Sequence, residues 1–328
     1  MSADIWNPWH GCRKCSAGCQ NCYMFALDRS RDHPEWSGQV FRTKSFDLPL
    51  KKNRQKQFKI SPGLRLRVNM TSDTFIEDAE PWLPEFWDII KSRPDMIFWL
   101  LTKRPERIMQ SLPPDWGQGY LNVSLNITTE NQENFDKRWP VFKQIPAIHK
   151  GICCAPLLGP IDISPALASG QLDEVLAGGE NYNNPRICEL GWVTNLAAQC
   201  LTAKVNFCWY ESGTNFAVNG HVMSWPRKAD QGAIAYLSGV NSKLYEPEFA
   251  LFDPNDGHLL QKSELHQKAY NLNHCAFCAN RMLCNGCLNC GRCRGPVVLS
   301  ELPELWQHER TLLVRSPPQV YEIYFRPR

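Results

Sequence analysis

An alternation of short apolar runs with longer amphipathic segments, between residues 64 and 210, limits the possible folds more than any other feature of the sequence. Short continuous apolar runs are typical of parallel strands that are buried on both faces. The amphipathic segments between them supply the crossover helices that parallel strands require. The sequence therefore predicts an α/β fold with strands at residues 64–70, 96–102, 121–128, 150–156, 172–180 and 205–210.

The predicted helices have clear boundaries. They cover residues 81–91, 105–111, 130–143 and 189–203, and Pro81 and Pro105 stand at helix-start positions, where proline is favoured. A very short first strand is expected at residues 5–8. About six strand-helix units then form an open or partial barrel, and the loop after the first strand lies at the end where such barrels keep their chemistry.

The 328 residues divide into two predicted domains, a partial barrel at 1–214 and a smaller cysteine-rich domain at 215–328. No apolar run is long enough to span a bilayer, so we expect a cytoplasmic protein without a membrane partner. The net charge of +3 is too small to indicate a nucleic-acid partner by itself. In a reducing cytoplasm, tight groups of cysteines indicate metal or cluster ligands rather than disulfides.

The first cysteine group lies in eleven residues near the N-terminus and consists of Cys12, Cys15, Cys19 and Cys22. Packing alone does not call for so many cysteines in one place, since buried free cysteines are usually scattered. A structural zinc site would use all four thiolates, whereas a [4Fe-4S] cluster held by three leaves one iron open. Both kinds of site remain possible from the residues alone.

The spacing Cys15-x3-Cys19-x2-Cys22 resembles the three-cysteine motif of radical S-adenosylmethionine enzymes, although their usual aromatic residue sits one place earlier, where this chain has Asn21. Over residues 4–212 the chain also resembles a phage-associated family of unknown function that is described as radical-SAM-like. The segments that carry this second resemblance are WNPWHGC (6–12), SAGCQNCY (16–23), VNMTSD (68–73), LTKRPE (101–106), PLLGP (156–160) and GGE (178–180).

The two resemblances choose different cysteines. The family motif C-x6-C-x2-C falls on Cys12, Cys19 and Cys22 and makes Cys15 an addition peculiar to this chain, whereas the first spacing uses Cys15. The chain also departs from the family at Ala155, where a glutamate usually precedes Pro-Leu-Leu-Gly-Pro, and at residues 125–129. These departures weaken any inference about the substrate.

The resemblance implies a [4Fe-4S] cluster, S-adenosylmethionine and an electron donor such as a flavodoxin or ferredoxin. Groups that could bind S-adenosylmethionine follow the predicted strands. An alternative is that Asp73 caps the next helix and that the Gly-Gly-Glu segment forms a tight turn. The candidate cofactor-binding residues are Asp73, Lys103, Arg104, Gly178, Gly179 and Glu180.

The second cysteine group lies in the predicted C-terminal domain and has glycines between its members, which permit the turns that a cluster needs. Its spacing resembles an auxiliary iron-sulfur domain, so a second [4Fe-4S] cluster and a zinc ribbon are both possible. The six cysteines are Cys275, Cys278, Cys284, Cys287, Cys290 and Cys293.

These observations favour an enzyme that cleaves S-adenosylmethionine to a 5'-deoxyadenosyl radical and modifies an unidentified substrate. By resemblance to radical enzymes that act on nucleic acids, the substrate would be a nucleobase or nucleotide. The alternative is a non-catalytic adaptor that binds nucleic acid or protein and whose fold is stabilised by bound zinc.

Overall fold

A sheet of seven parallel strands organises the chain. The computed structural model describes residues 4–182 and 184–266. The strands, numbered along this part of the chain, are β1 (Ile5–Trp6), β2 (Trp9–His10), β3 (Phe41–Arg42), β4 (Arg65–Val68), β5 (Ile97–Thr102), β6 (Val123–Thr128), β7 (His149–Cys154), β8 (Glu174–Gly178), β9 (Cys188–Glu189), β10 (Asn206–Glu211), β11 (Asn215–Val218) and β12 (His221–Ser224). The large sheet has the order β1-β4-β5-β6-β7-β8-β10, and every neighbouring pair in it is parallel.

The sheet curls into a half-barrel. Arg65 on β4 forms an ion pair with Glu174 on β8 at 3.1 Å, and the indole of Trp99 on β5 donates to the same carboxylate at 2.9 Å. Four strand spacings separate β4 from β8, and in a flat sheet this distance would be about 19 Å. The ion pair is therefore possible only because the sheet bends, and it lies on the concave face.

Helices cover the convex face, as the crossover connections of parallel strands require. The described helices are α1 (Tyr23–Ser30), α2 (Leu83–Lys91), α3 (Ile108–Ser111), α4 (Gln132–Phe142), α5 (Ser164–Leu167), α6 (Leu190–Thr202) and α7 (Lys228–Leu237). Between the helices and the sheet lies the main apolar core, which includes the fully buried side chains of Trp6, Phe86 and Phe98. Burial of one such side chain contributes about 1.5–3 kcal/mol.

Two small sheets flank the half-barrel. Strands β2 and β3 are antiparallel, while β11 pairs in parallel with β9 and antiparallel with β12. Residues on both sides of position 214 thus share one sheet. Among the described helices, none combines the length and the apolar composition needed to cross a membrane.

Residues 243–247 cover the amino-terminal end of the concave face near β8 and β10. The backbone amide of Leu244 donates to Asn206 at 2.8 Å, and the Tyr245 hydroxyl donates to the carbonyl of Asp173 at 3.0 Å. A cavity of about 20 Å³ remains there, bounded by Arg65 and Glu174. It has room for roughly one water molecule.

The mixed α/β fold with a parallel, partly closed sheet is confirmed. All six strands predicted between residues 64 and 210 form, and the very short first strand is present at Ile5–Trp6. The predicted helix at 81–91 is shorter, because a 3-10 helix at Glu77–Trp82 precedes α2. The second cysteine group lies outside the described residues, so its metal and its domain stay predictions.

Candidate functional site

The loop that carries the first cysteine group, residues 11–22, is called the cysteine loop below. It connects β2 to α1 and lies at the edge of the sheet where the parallel strands end. The amide of Gly11 donates to the carbonyl of Thr71, just beyond β4, at 3.1 Å. The amide of Cys12 donates to the carbonyl of Ser37 at 2.9 Å. The predicted position of this loop is therefore confirmed.

Cys15 and Cys19 are a hydrogen-bonded pair of thiols in the cysteine loop. Their sulfur atoms are 4.0 Å apart, Cys19 is buried and Cys15 is exposed. The hydrogen bond between them lowers the pKa of Cys19, and the nearby ammonium of Lys103 acts in the same direction, whereas burial opposes both. The same hydrogen bond raises the pKa of Cys15.

Cys12 lies within electrostatic range of the other two members of the family motif. Burial raises its pKa to about 12, with smaller contributions of the same sign from Asp73, Cys19 and Cys22. The pKa of Cys22 is also raised, first by burial, and Cys19 contributes to that shift. Cys12, Cys19 and Cys22 are thus electrostatic neighbours, and a metal centre bound among them would reverse these shifts, because coordinated thiols lose their protons.

Three buried carboxylates fix the cysteine loop, and the first is Asp73. It accepts hydrogen bonds from the hydroxyl of Thr102 at 2.6 Å and from the amide of Lys103 at 2.8 Å. Arg104 forms an ion pair with it at 3.1 Å and donates to the carbonyl of Arg13 at 2.8 Å. The ends of β4 and β5 are thereby joined to the beginning of the cysteine loop.

The second carboxylate is Glu130, which follows β6 and is completely buried. Arg138 donates to it at 2.5 Å, Ser16 in the cysteine loop donates to its other oxygen, and the ammonium of Lys103 lies 4.0 Å away. Burial acts against the charge on Glu130, but Lys103 and Arg138 outweigh it and keep its pKa below the usual range. The carboxylate also occupies the space beside Gly18, where an added Cβ would overlap it.

The third carboxylate is Glu180, which follows β8. It accepts hydrogen bonds from Asn21 in the cysteine loop at 2.9 Å and from the side chain and amide of Arg186, both at 2.9 Å. The guanidinium of Arg186 also donates to the carbonyl of Ala17 at 2.9 Å. Burial opposes ionisation, yet the hydrogen bonds from Arg186 and Asn21 lower the pKa of Glu180.

The three carboxylates follow alternate strands, β4, β6 and β8, and each is paired with an arginine. A buried ion pair stabilises only when its geometry is good and its remaining hydrogen-bonding groups are satisfied. Here the additional partners are groups of the cysteine loop. The arrangement holds the loop, in which a 3-10 helix at Ala17–Cys19 is the one described regular element, in one defined position over the strand ends.

The two glycines of Gly178-Gly179-Glu180 serve close packing. A Cβ at Gly178 would lie 2.6 to 2.9 Å from the ring of Tyr210, and one at Gly179 would overlap the carbonyl of Ser212. Asp73, Arg104 and Glu180 likewise use their polar atoms on protein partners. Lys103 differs from them, because its ammonium reaches only the 4.0 Å contact with Glu130 among the described ion pairs.

A small apolar cluster lines the concave face below the strand ends. Trp99, Cys153, Leu176 and Cys208 are buried in it, and partly exposed apolar side chains surround them. Ala155, where the resemblance expects a glutamate, is one of these surrounding residues, as are Met70, Leu101 and Tyr210. The missing carboxylate is therefore replaced by apolar surface.

The donor set of the cysteine loop fits a thiolate-bound metal centre, since the four cysteines are free of disulfides and the loop is fixed from three sides. Within residues 4–182 and 184–266, no group of three or more histidine, cysteine or acidic side chains is gathered closely enough to hold a single metal ion. The other five described cysteines, Cys153, Cys154, Cys188, Cys200 and Cys208, are buried as predicted.

Residues 2–265 match a protein family that is described as Protein of unknown function (DUF5131). The match covers well over half of the 328 residues. The chain belongs to this family. The DUF5131 match includes the cysteine loop, the three carboxylates and their arginines. No match was found among curated proteins or among solved structures.

In this DUF5131 chain, sequence reasoning missed Glu130, Arg138 and Arg186. Glu130 was included in a predicted helix from 130 to 143, whereas the helix begins at Gln132 with Asn131 as its N-cap. The available signal was its position directly after a strand, which is the same signal that identified Asp73 and Lys103. Arg186 lies in an irregular segment and carried no such signal.

Proposed function

We propose that this DUF5131 protein is a radical S-adenosylmethionine enzyme whose [4Fe-4S] cluster is held by the cysteine loop. The observation that carries the proposal is the position of the loop. A cysteine-rich segment lies over the carboxyl ends of seven parallel strands in a half-barrel, which is where barrel enzymes place their catalytic groups.

We propose Cys12, Cys19 and Cys22 as the ligands. They match the spacing of the family motif, Cys12 lies in the electrostatic environment of both other thiols, and all three are at least partly buried. Cys15, by contrast, is exposed, and its thiol is hydrogen-bonded to that of Cys19. Three protein ligands leave one position of a cubane cluster open for a cofactor.

When bound, the cluster and S-adenosylmethionine would supply the 5'-deoxyadenosyl radical, and the chain would supply orientation and exclusion of water. Among the predicted cofactor-binding residues, Lys103 is the best candidate for direct contact. Its ammonium follows β5 and lies among Glu130, Cys19 and Cys153. The resemblance favours a nucleobase or nucleotide substrate. The aromatic side chains of Trp99 and Tyr210 on the concave face are consistent with this, since aromatic rings pack well against the flat ring of a base.

One observation favours a second candidate, a structural zinc site that uses all four cysteines. The Cys15 and Cys19 sulfur atoms are 4.0 Å apart. Two thiolates on one tetrahedral zinc ion, each at about 2.3 Å, stand about 3.8 Å from each other. Since no three described ligand side chains are gathered closely enough for one ion, Cys12 and Cys22 would have to move toward the Cys15–Cys19 pair on binding. The zinc candidate predicts that Cys15 is as important for metal content as Cys19.

Metal analysis of matched variants separates the two candidates. Protein purified without oxygen should contain iron and sulfide at the cysteine loop. Cys15→Ser should retain them, whereas Cys19→Ser should lose them. The C-terminal cysteines should be replaced by serine in a parallel set, so that the metal they bind is counted separately.

The catalytic part of the proposal is tested with reduced, reconstituted protein and S-adenosylmethionine. We expect 5'-deoxyadenosine from the wild type and from Cys15→Ser, and none from Cys19→Ser. Zinc that disappears on either Cys15→Ser or Cys19→Ser, in protein that forms no 5'-deoxyadenosine, would establish the zinc candidate instead.

A further inference from the structure

Cys15 is the cysteine that the proposed trio leaves over, and it borders an open cleft of about 590 Å³. The cleft is lined by Arg13, Cys15, Glu77, Asp78, Arg104 and Glu106. Among these lining residues, Cys15 alone carries a thiol. The cleft therefore gives a small molecule direct access to one member of the cysteine loop.

The buried thiol of Cys19 lies next to the accessible thiol of Cys15. Cys19 is buried, and its sulfur lies 4.0 Å from that of Cys15, which is about twice the length of an S–S bond. Rotation of the exposed Cys15 side chain is a smaller change than a shift of the loop, which Ser16, Ala17 and Asn21 hold in place on either side of Cys19. The pair thus has an accessible thiol and an adjacent thiol that can resolve a mixed disulfide.

The cleft presents both signs of charge. Arg13 is largely exposed and donates to Asp78 at 3.0 and 2.6 Å, while Glu77 and Glu106 add exposed carboxylates. A zwitterionic peptide with carboxylate and ammonium groups is complementary to such a surface. Glutathione disulfide has this character, and the cleft volume suits a molecule of its class.

From these observations we infer that Cys15 and Cys19 form a redox-active pair that reacts with small zwitterionic disulfides in the cleft. The Cys15 thiol gives its proton to the Cys19 sulfur with which it shares a hydrogen bond, and the Cys15 sulfur attacks one sulfur of glutathione disulfide. The S–S bond breaks, and one glutathione leaves as a thiolate that takes up a proton from solvent. Cys19 then attacks the Cys15 sulfur, and the second glutathione leaves in the same way. The protein dithiol is oxidised by two electrons, and one glutathione disulfide is reduced to two glutathiones.

The inference rests on the proposed cysteine trio in one respect, because it treats Cys15 as a residue that is not a cluster ligand. Its consequence is regulatory. A Cys15–Cys19 disulfide removes Cys19 from the trio, so oxidised protein cannot assemble the metal centre until a reductant opens the disulfide.

The test uses the full-length chain, purified under reducing conditions without added metal and then incubated with glutathione disulfide. Free thiols are labelled with an isotope-coded alkylating reagent before and after the incubation, and disulfides are mapped by peptide mass spectrometry. We expect a Cys15–Cys19 disulfide in the wild type and in Cys12→Ser, and an alkylatable Cys19 in Cys15→Ser and Cys15→Ala. A Cys15 that stays alkylatable, or that bonds to Cys12 or Cys22, would overturn the inference.

Iron uptake tests the consequence separately. Oxidised wild-type protein should take up less iron at the cysteine loop than reduced protein, and dithiothreitol should restore the uptake, whereas Cys15→Ser should bind equally in both states. If no form binds iron, the proposed function fails, but the mapped disulfide still decides whether the redox pair exists.

Discussion

Glu130 fills the space that a side chain at position 18 would occupy. An added Cβ at Gly18 would overlap the Cγ and Oε1 atoms of Glu130 and lie 2.8 Å from its carboxyl carbon. Because Glu130 is completely buried and bonded to Arg138, it cannot swing away without leaving a buried cation unpaired. The backbone of the cysteine loop therefore lies directly against the end of β6.

Gly18→Ala should displace either the cysteine loop or the side chain of Glu130. Overpacking of this kind costs about 1–3 kcal/mol in the free energy of unfolding, which denaturant titration measures. Gly38→Ala is the matched control, since an added Cβ at Gly38 meets no atom within 4 Å. Equal stability of the two variants would contradict the close contact with Glu130.

Glu130→Ala should destabilise the fold more strongly than Gly18→Ala. It leaves Arg138 and Lys103 buried without their carboxylate, and breaking a buried pair costs about 3–5 kcal/mol. The exposed Glu133 lies three residues away, and Glu133→Ala should change the free energy of unfolding by no more than about 0.5 kcal/mol. A similar loss in both variants would show that Glu130 is not the anchor of the loop.

The curl of the sheet can be measured through Arg65 and Glu174. Their side chains are largely buried and 3.1 Å apart, although four strand spacings separate them in the sheet order. A double-mutant cycle with Arg65→Met and Glu174→Gln should give a coupling free energy of about 1 kcal/mol or more. Strict additivity would mean that the two strands do not meet across the concave face in solution.

Lys150 should make stability depend on pH in the alkaline range. Its ammonium is buried, donates to the side-chain oxygen of Gln171 at 2.8 Å and lies near the carbonyls of Phe142 and Lys143, and burial lowers its pKa to about 8 from 10.5. Between these two pH values the unfolded chain binds more protons than the folded protein, so the free energy of unfolding should rise with pH. Below pH 8 both states are protonated, and the cost of burying the charge is fully present.

Lys150→Met removes the titratable ammonium and should be more stable than the wild type at pH 7 by about 1 kcal/mol, because the loss of the hydrogen bonds to Gln171 and the two carbonyls offsets part of the gain. The advantage should shrink as the pH rises from about 8 to 10.5. Urea titrations at several pH values measure the difference, and Lys137→Met at an exposed position of α4 is the control. A difference that is independent of pH would show that Lys150 is not buried as an ammonium.

The strands β4 to β8 and β10 could be predicted from sequence, because burial on both faces produces continuous apolar runs that need no knowledge of their neighbours. The candidate site was predictable only in part. The cysteines and Asp73 stand out locally. Asp73 accepts from the amide of Phe75 but does not cap the next helix, which begins at Glu77 with Ile76 as its N-cap. Glu130 could not be assigned a role, because its partner Gly18 is more than a hundred residues away in sequence and the contact exists only in the folded chain.

Helix α1 and the pairing of β2 with β3 were also missed. Strands of two residues have no period that a pattern could reveal. Helix α1 begins at Tyr23, and its N-cap position is Cys22, a residue whose spacing from the other cysteines indicates a ligand rather than the start of a helix. The same short segment carries the cysteine motif and the start of a helix, and the motif masks the helix signal.

The ion pair between Arg65 and Glu174, together with residues 243–247, limits the routes by which a small molecule can reach the concave face. The amino-terminal end of its concave side, as far as the described residues form it, is plugged down to a space of about 20 Å³. A molecule that reaches Trp99 and Leu176 from the cysteine loop therefore cannot pass on through this end of the concave face. If substrate and cofactor both enter from the cysteine-loop side, their binding and release must be ordered. The molecule that binds first lies deeper and can dissociate only after the second one has left.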